Sequence, residues 1–66
     1  MPWDETRYPA SMRNLAPEIR TKAIEIANAL LDEGYEEGMA IRIGIAKAKE
    51  WAARRGWPSG RTSSAN

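Results

Sequence analysis

Two long helical patterns meet at Gly34-Tyr35-Glu36-Glu37-Gly38-Met39-Ala40-Ile41, and a junction this short turns the second helix back along the first. Gly34 takes the left-handed conformation at no steric cost, so it ends the first helix and places Tyr35 to touch Leu30 as in a Schellman cap. Glu36 and Glu37 fall at the start of the second helix, beside the positive end of its dipole. The pair Gly56-Trp57 repeats the glycine-aromatic ending, and Pro58 forbids continuation. The expected helices run over about 17–33 and 36–55, an antiparallel hairpin in an all-α domain over 1–57.

The first helix opens on Pro17, whose missing N–H costs nothing there, with Glu18 favourably placed against the positive end. At 100° per residue Ile19, Ala23, Ile26, Ala27 and Leu30 share one side, and Ile24 and Leu31 widen the apolar arc to roughly 160°. One partner helix cannot cover such an arc. Glu18, Thr21, Glu25, Asn28 and Asp32 form the opposite, polar side, with Glu18 and Lys22 as an i,i+4 pair. Arg20 sits inside the arc, where it buries its stem and keeps its head paired or wet.

On the second helix Ile41, Ile45, Ala48 and Ala52, flanked by Gly44 and Trp51, make the stripe expected against the first helix, with Gly44 allowing close approach. Met39, Ile43, Ala46 and Ala53 fall on the other side, so this helix needs a second cover. The N-terminal segment, with Trp3, Tyr8, Met12 and Leu15, is the nearest candidate, and a second protomer is the other. Residues 1–10 read as an ordered arm and 10–15 as one short helical turn, while the small polar residues of 58–66 read as a disordered tail.

A chain of 66 residues that lacks both cysteine and histidine has no disulfide or thiolate site to staple it, which leaves tight helix packing or oligomerisation. No segment has the composition of a membrane span or a cleaved leader, so the expected location is cytoplasmic. The net charge of +1 hides an asymmetry. Up to Ile41 there are four basic and eight acidic residues; from Arg42 onward there are six basic and one acidic. Such a split points either to a polyanion partner or to self-complementary halves.

Each candidate site has a plain structural alternative. The acidic turn Asp32, Glu33, Glu36 and Glu37 lacks the spacing of a calcium loop and reads as a solvated turn that favours the start of the second helix. Arg42, Lys47 and Lys49, with Arg54 and Arg55, are the candidate nucleic-acid contacts, but Arg42 and Lys49 share one flank while Lys47 and Arg54 share the opposite one. Trp57, Arg54 and Arg55 form a candidate partner surface, and Trp3 and Trp51 read as core. No catalytic set, cofactor motif or metal-ligand set stands in the chain: Ser11 is the one serine outside the tail, and there is no glycine-rich phosphate loop. This is the reading of a non-enzymatic interaction module, whose partner is another protein or a second copy, with nucleic-acid binding as the alternative.

Several blocks in order carry a resemblance: Trp3, then Tyr8-Pro9-Ala10-Ser11-Met12-Arg13-Asn14-Leu15, then the run from Ile19 to Leu31, then Gly34 to Ile41, and finally Glu50-Trp51-Ala52. Together they resemble the N-terminal module of small bacterial proteins of the YdaT type. That resemblance implies a helical cytosolic bacterial protein and transfers no catalytic or binding residue. More distantly, the Met-Pro-aromatic start followed by two helices is similar to the ChaB family, described as cation transport regulators. The longer charged inter-helix loop and the leading Leu-Pro pair of that family are missing here, where Leu15-Ala16-Pro17 stands instead, so no function is carried over from it.

If the arm packs on the helices, deleting residues 1–10 lowers the thermal midpoint markedly; an unchanged midpoint in a calorimetric scan would show that the arm is free.

Overall fold

The computed structural model describes residues 2–56, so Trp57 and the polar segment 58–66 lie outside the described residues. A 3₁₀ turn (Ala10–Met12) is followed by α1 (Pro17–Asp32) and α2 (Glu37–Arg54), which pack against each other as an antiparallel hairpin. The expected fold class holds, with each helix ending a residue short of the expected position.

The helix ends follow from the residues already named. Gly34 has φ 102°, its N–H donates to the Leu31 carbonyl at 3.0 Å, and the Tyr35 N–H donates to the Leu30 carbonyl at 3.1 Å. These two bonds make the complete Schellman motif, which satisfies carbonyls that α1 leaves open. At the end of α2, Gly56 has φ 75° and its N–H donates to the Ala53 carbonyl at 3.1 Å, the same opening step. Pro17 occupies the first turn of α1, and Glu37 the first turn of α2.

Between the helices the contact is backbone-close. The buried stripe of α2 is Ala40, Gly44, Ala48 and Ala52, set against Ile19, Ala23 and Ala27 of α1. A Cβ built on Gly44 would lie 2.9 Å from the Ala23 carbonyl oxygen and 3.1 Å from the Ala27 Cβ. This corrects the expected stripe by one residue: Ile41 and Ile45 are half-buried edges, and Ala40 and Gly44 take the centre. The reason is steric, because an isoleucine at the centre would hold the helices apart. The cost is a thin core. Burying a methyl group contributes about 0.8 kcal/mol, against about 1.5–3 kcal/mol for a large apolar side chain. Beyond the buried Met12, Ile19 and Ile24, the larger side chains come from the edges, where Trp3, Tyr8, Leu15, Ile26, Leu30, Leu31, Ile41, Ile45 and Trp51 pack against the buried cluster.

Much of that edge material arrives with the arm. Asp4 and Arg7 exchange two backbone hydrogen bonds, at 2.7 and 3.1 Å, closing a tight turn. The Asp4 carboxylate accepts from the Thr6 hydroxyl at 2.8 Å and from the Thr6 and Arg7 N–H groups, each at 2.9 Å. These bonds, the Thr6 hydroxyl first, hold the Asp4 carboxyl below its ordinary pKa. The turn is thus tightest with Asp4 ionised and loosens as pH falls through that lowered value. The arm is then fastened to α1. The Trp3 N–H donates to Asn28 Oδ1 at 3.3 Å, and Asn28 Nδ2 donates back to the Trp3 carbonyl at 3.0 Å. The Thr21 hydroxyl lies 2.8 Å from Glu5 Oε2, and the Arg20 guanidinium stacks 4.8 Å from the Tyr8 ring centre while donating to the Arg13 and Leu15 carbonyls. Met12, from the short turn, is fully buried.

Asn28 is the second correction. Placed by periodicity on the polar side, it is 3% exposed and is the buried polar residue of the core among the described residues. An amide side chain there meets both a donor and an acceptor of the arm backbone, so its burial is compensated. The expected Glu18–Lys22 pair is replaced by Lys22–Glu25 at 3.1 Å, an exposed i,i+3 pair of little energetic weight.

Two substitutions test this account. Gly→Ala inside a helix ordinarily gains up to about 1 kcal/mol; Gly44→Ala is expected to lose about 1–3 kcal/mol instead, because its methyl meets a backbone oxygen. A stabilised Gly44→Ala variant in a denaturant titration would refute the close approach. Asn28→Ala is expected to cost about 1–3 kcal/mol and to shift the Trp fluorescence to the red as the arm loosens; a loss of stability with unchanged emission would place the effect elsewhere.

Candidate interaction surface

The direction in which α2 points its outer side chains is set by Gly44. With Ala40, Gly44, Ala48 and Ala52 turned to α1, a step of 100° per residue puts Met39, Ala46 and Ala53 within about 40° of one another on the opposite side. Met39 is 49% exposed, and Ala46 and Ala53 are exposed as well. Ile43 lies at the edge of this strip, half-buried. Tyr35, 44% exposed, stands in the turn just before α2, and it and Met39 are the exposed large hydrophobic residues among those described. The arm does not serve as the cover expected for this side. Its hydrogen bonds run to Arg20, Thr21 and Asn28 of α1, and its short turn meets α2 at the other edge, where Ser11, Asn14, Leu15, Ala16, Ile19, Ile45 and Lys49 line a cleft of about 430 Å³.

The basic residues border the strip. Arg42, Lys47, Lys49, Arg54 and Arg55 are all exposed. Arg42 and Lys49 run along one flank of the strip and Lys47 and Arg54 along the other, with Glu50 on the strip itself between the directions of Met39 and Ile43. Arg55 leaves this group: its guanidinium lies 5.2 Å from the Trp51 ring centre, and the Lys22 ammonium lies 5.3 Å from the same ring. Trp51 is half-buried and packs on the core, so it joins the two helices through its ring faces as well as its area. Trp57, placed with Arg54 and Arg55 in the partner surface read from the sequence, lies outside the described residues.

Among the described residues no group of three or more acidic side chains converges as a metal site; Glu37 lies in the first turn of α2, beside the positive end of its dipole, whereas Asp32 and Glu33 stand at the C-terminal end of α1. No helix among the described residues is long and apolar enough to cross a membrane. Sequence reasoning missed Asn28, and the signal was available in part: an asparagine four residues from the buried Ile24 lies beside the apolar arc rather than squarely opposite it.

No family model and no solved structure matches this chain. The more distant likeness to ChaB thus finds no support. Over 52 residues, 79% of its length, the chain is 64% identical to a protein of Bacillus subtilis (strain 168) that carries the name Uncharacterized protein YdaT. The matched stretch spans 35% of that protein. The blocks quoted from the sequence and this identity agree, and over those residues the chain is of the YdaT type.

Proposed function

We propose that this chain is a small non-enzymatic helical module that binds another protein through the outward side of α2. The observation that carries the reading is the exposed strip of Met39, Ala46 and Ala53, with half-buried Ile43 along its edge and Tyr35 at its head, on a domain whose larger apolar side chains are otherwise drawn onto the core. Met and aromatic residues beside arginine are the residue types enriched at interface centres. The absence of histidine and cysteine from the sequence favours binding over catalysis. Nucleic-acid binding is the weaker reading, because Glu50 lies between the basic flanks and the four carboxylates of the turn stand at the head of the same helix, where each would repel phosphate.

A photo-crosslinking residue placed at Met39 in the source cell is expected to give a defined protein adduct that is absent when the same residue stands at Ala29, on the exposed acidic side of α1. The reading falls if Met39 gives no adduct. It falls equally if the chain retards duplex DNA at about 50 mM salt and loses it steeply as salt rises, with nucleic acid as the Met39 adduct.

A further inference from the structure

The charges around the strip say what kind of surface fits it. We propose that the partner presents an amphipathic helix of about four turns whose apolar ridge is flanked by acidic residues. This rests on the protein-binding reading above and narrows it to one chemistry.

Met39, Ile43, Ala46 and Ala53 follow one another at intervals of four, three and seven, with Glu50 completing the row. Side chains at i, i+4 and i+7 form the ridge that packs against a second helix, and the 15-residue run from Met39 to Ala53 spans about 21 Å. Ala46 and Ala53 are shallow, so a partner's larger side chains sit over them, while Met39 and Ile43 offer adaptable contact at the other end.

Charge then excludes the nearest alternative. If a second copy laid its own α2 along this strip, in either direction, Arg42, Lys47, Lys49 and Arg54 would face the same four residues of the copy, basic against basic. The outer side of a copy's α1 carries Glu18, Glu25 and Asp32 but, around Ala29, no large apolar residue to fill the strip. A different chain with acidic flanks satisfies both borders at once. Glu50 adds a position-specific demand: opposite it the partner carries a cation or a neutral polar group, so a uniformly acidic ligand, a polyphosphate included, is the wrong shape of charge.

The test uses the full, isotope-labelled chain and two synthetic peptides of about 15 residues with leucines at i, i+4, i+7 and i+14 and glutamine at i+11, one with glutamate flanks and one with lysine flanks. The glutamate peptide is expected to shift the amide resonances of Met39, Ile43, Ala46 and Ala53, and the lysine peptide to bind at least about tenfold more weakly. Reversing the borders with Arg42→Glu, Lys47→Glu, Lys49→Glu and Arg54→Glu, all at exposed positions and checked for an unchanged helical circular dichroism spectrum, is expected to reverse the preference. Met39→Ser, which removes apolar contact without adding charge, is expected to weaken the response to the glutamate peptide. Equal binding of the two peptides, no shifts along α2 at millimolar glutamate peptide, or a preference that survives the reversal overturns the proposal. If that happens while the Met39 crosslink still yields a protein, the partner has another chemistry and the protein-binding reading stands. If the crosslink fails too, both fall.

Discussion

The close approach of α1 and α2 at Gly44 is the constraint on which the rest of this small fold depends. With the Ala23 carbonyl oxygen 2.9 Å from where a Cβ would sit, the two backbones meet almost directly, and the positions around the crossing can hold little more than methyl groups. Alanine at 23, 27, 40, 48 and 52 is the consequence. Such an interface gains dispersion from dense packing, yet removes little apolar area per residue from water. The helices alone would be a weak pair, in the way expected of very small domains.

That shortage explains why the arm exists. Trp3, Tyr8, Met12 and Leu15 bring onto the hairpin the bulk that its centre excludes, and Pro2 and Pro9 restrict the chain that delivers them. The fastening is polar and directional: Asn28 reads the backbone of Trp3, Thr21 meets Glu5, and Arg20 closes over Tyr8 while holding the carbonyls of Arg13 and Leu15. Each tie is modest in net free energy, about 1 kcal/mol for a typical hydrogen bond. Their joint effect is to give apolar side chains of the arm one position instead of many.

Local chemistry was legible in the residues to the extent that it is local. Gly34 with Tyr35 foretells the Schellman ending, Pro17 and Glu37 the helix starts, and the 160° arc of α1 the need for two covers. What periodicity does not disclose is distance between elements. The choice between Ile41 and Ala40 at the centre of the α2 stripe turns on how near α1 comes, which is a property of two surfaces together. Asn28 escapes for the same reason, since an asparagine is polar to a helical wheel and apolar-like only once an arm backbone sits above it. The strip on α2 is legible as an apolar second side, while its being uncovered depends on the arm lying along α1, a choice made by Asn28 and Thr21 rather than by α2 itself.

Gly44 also acts as a detent. A missing side chain seated between Ala23 and Ala27 admits one register of the helices, because sliding or rolling α2 by a residue would drive a methyl or an isoleucine into the α1 backbone. The angular position of the outer strip is therefore inherited from the inner notch: Met39, Ala46 and Ala53 point outward because Gly44 points in. A substitution at the notch would reorient a surface on the far side of the helix without touching any residue of it.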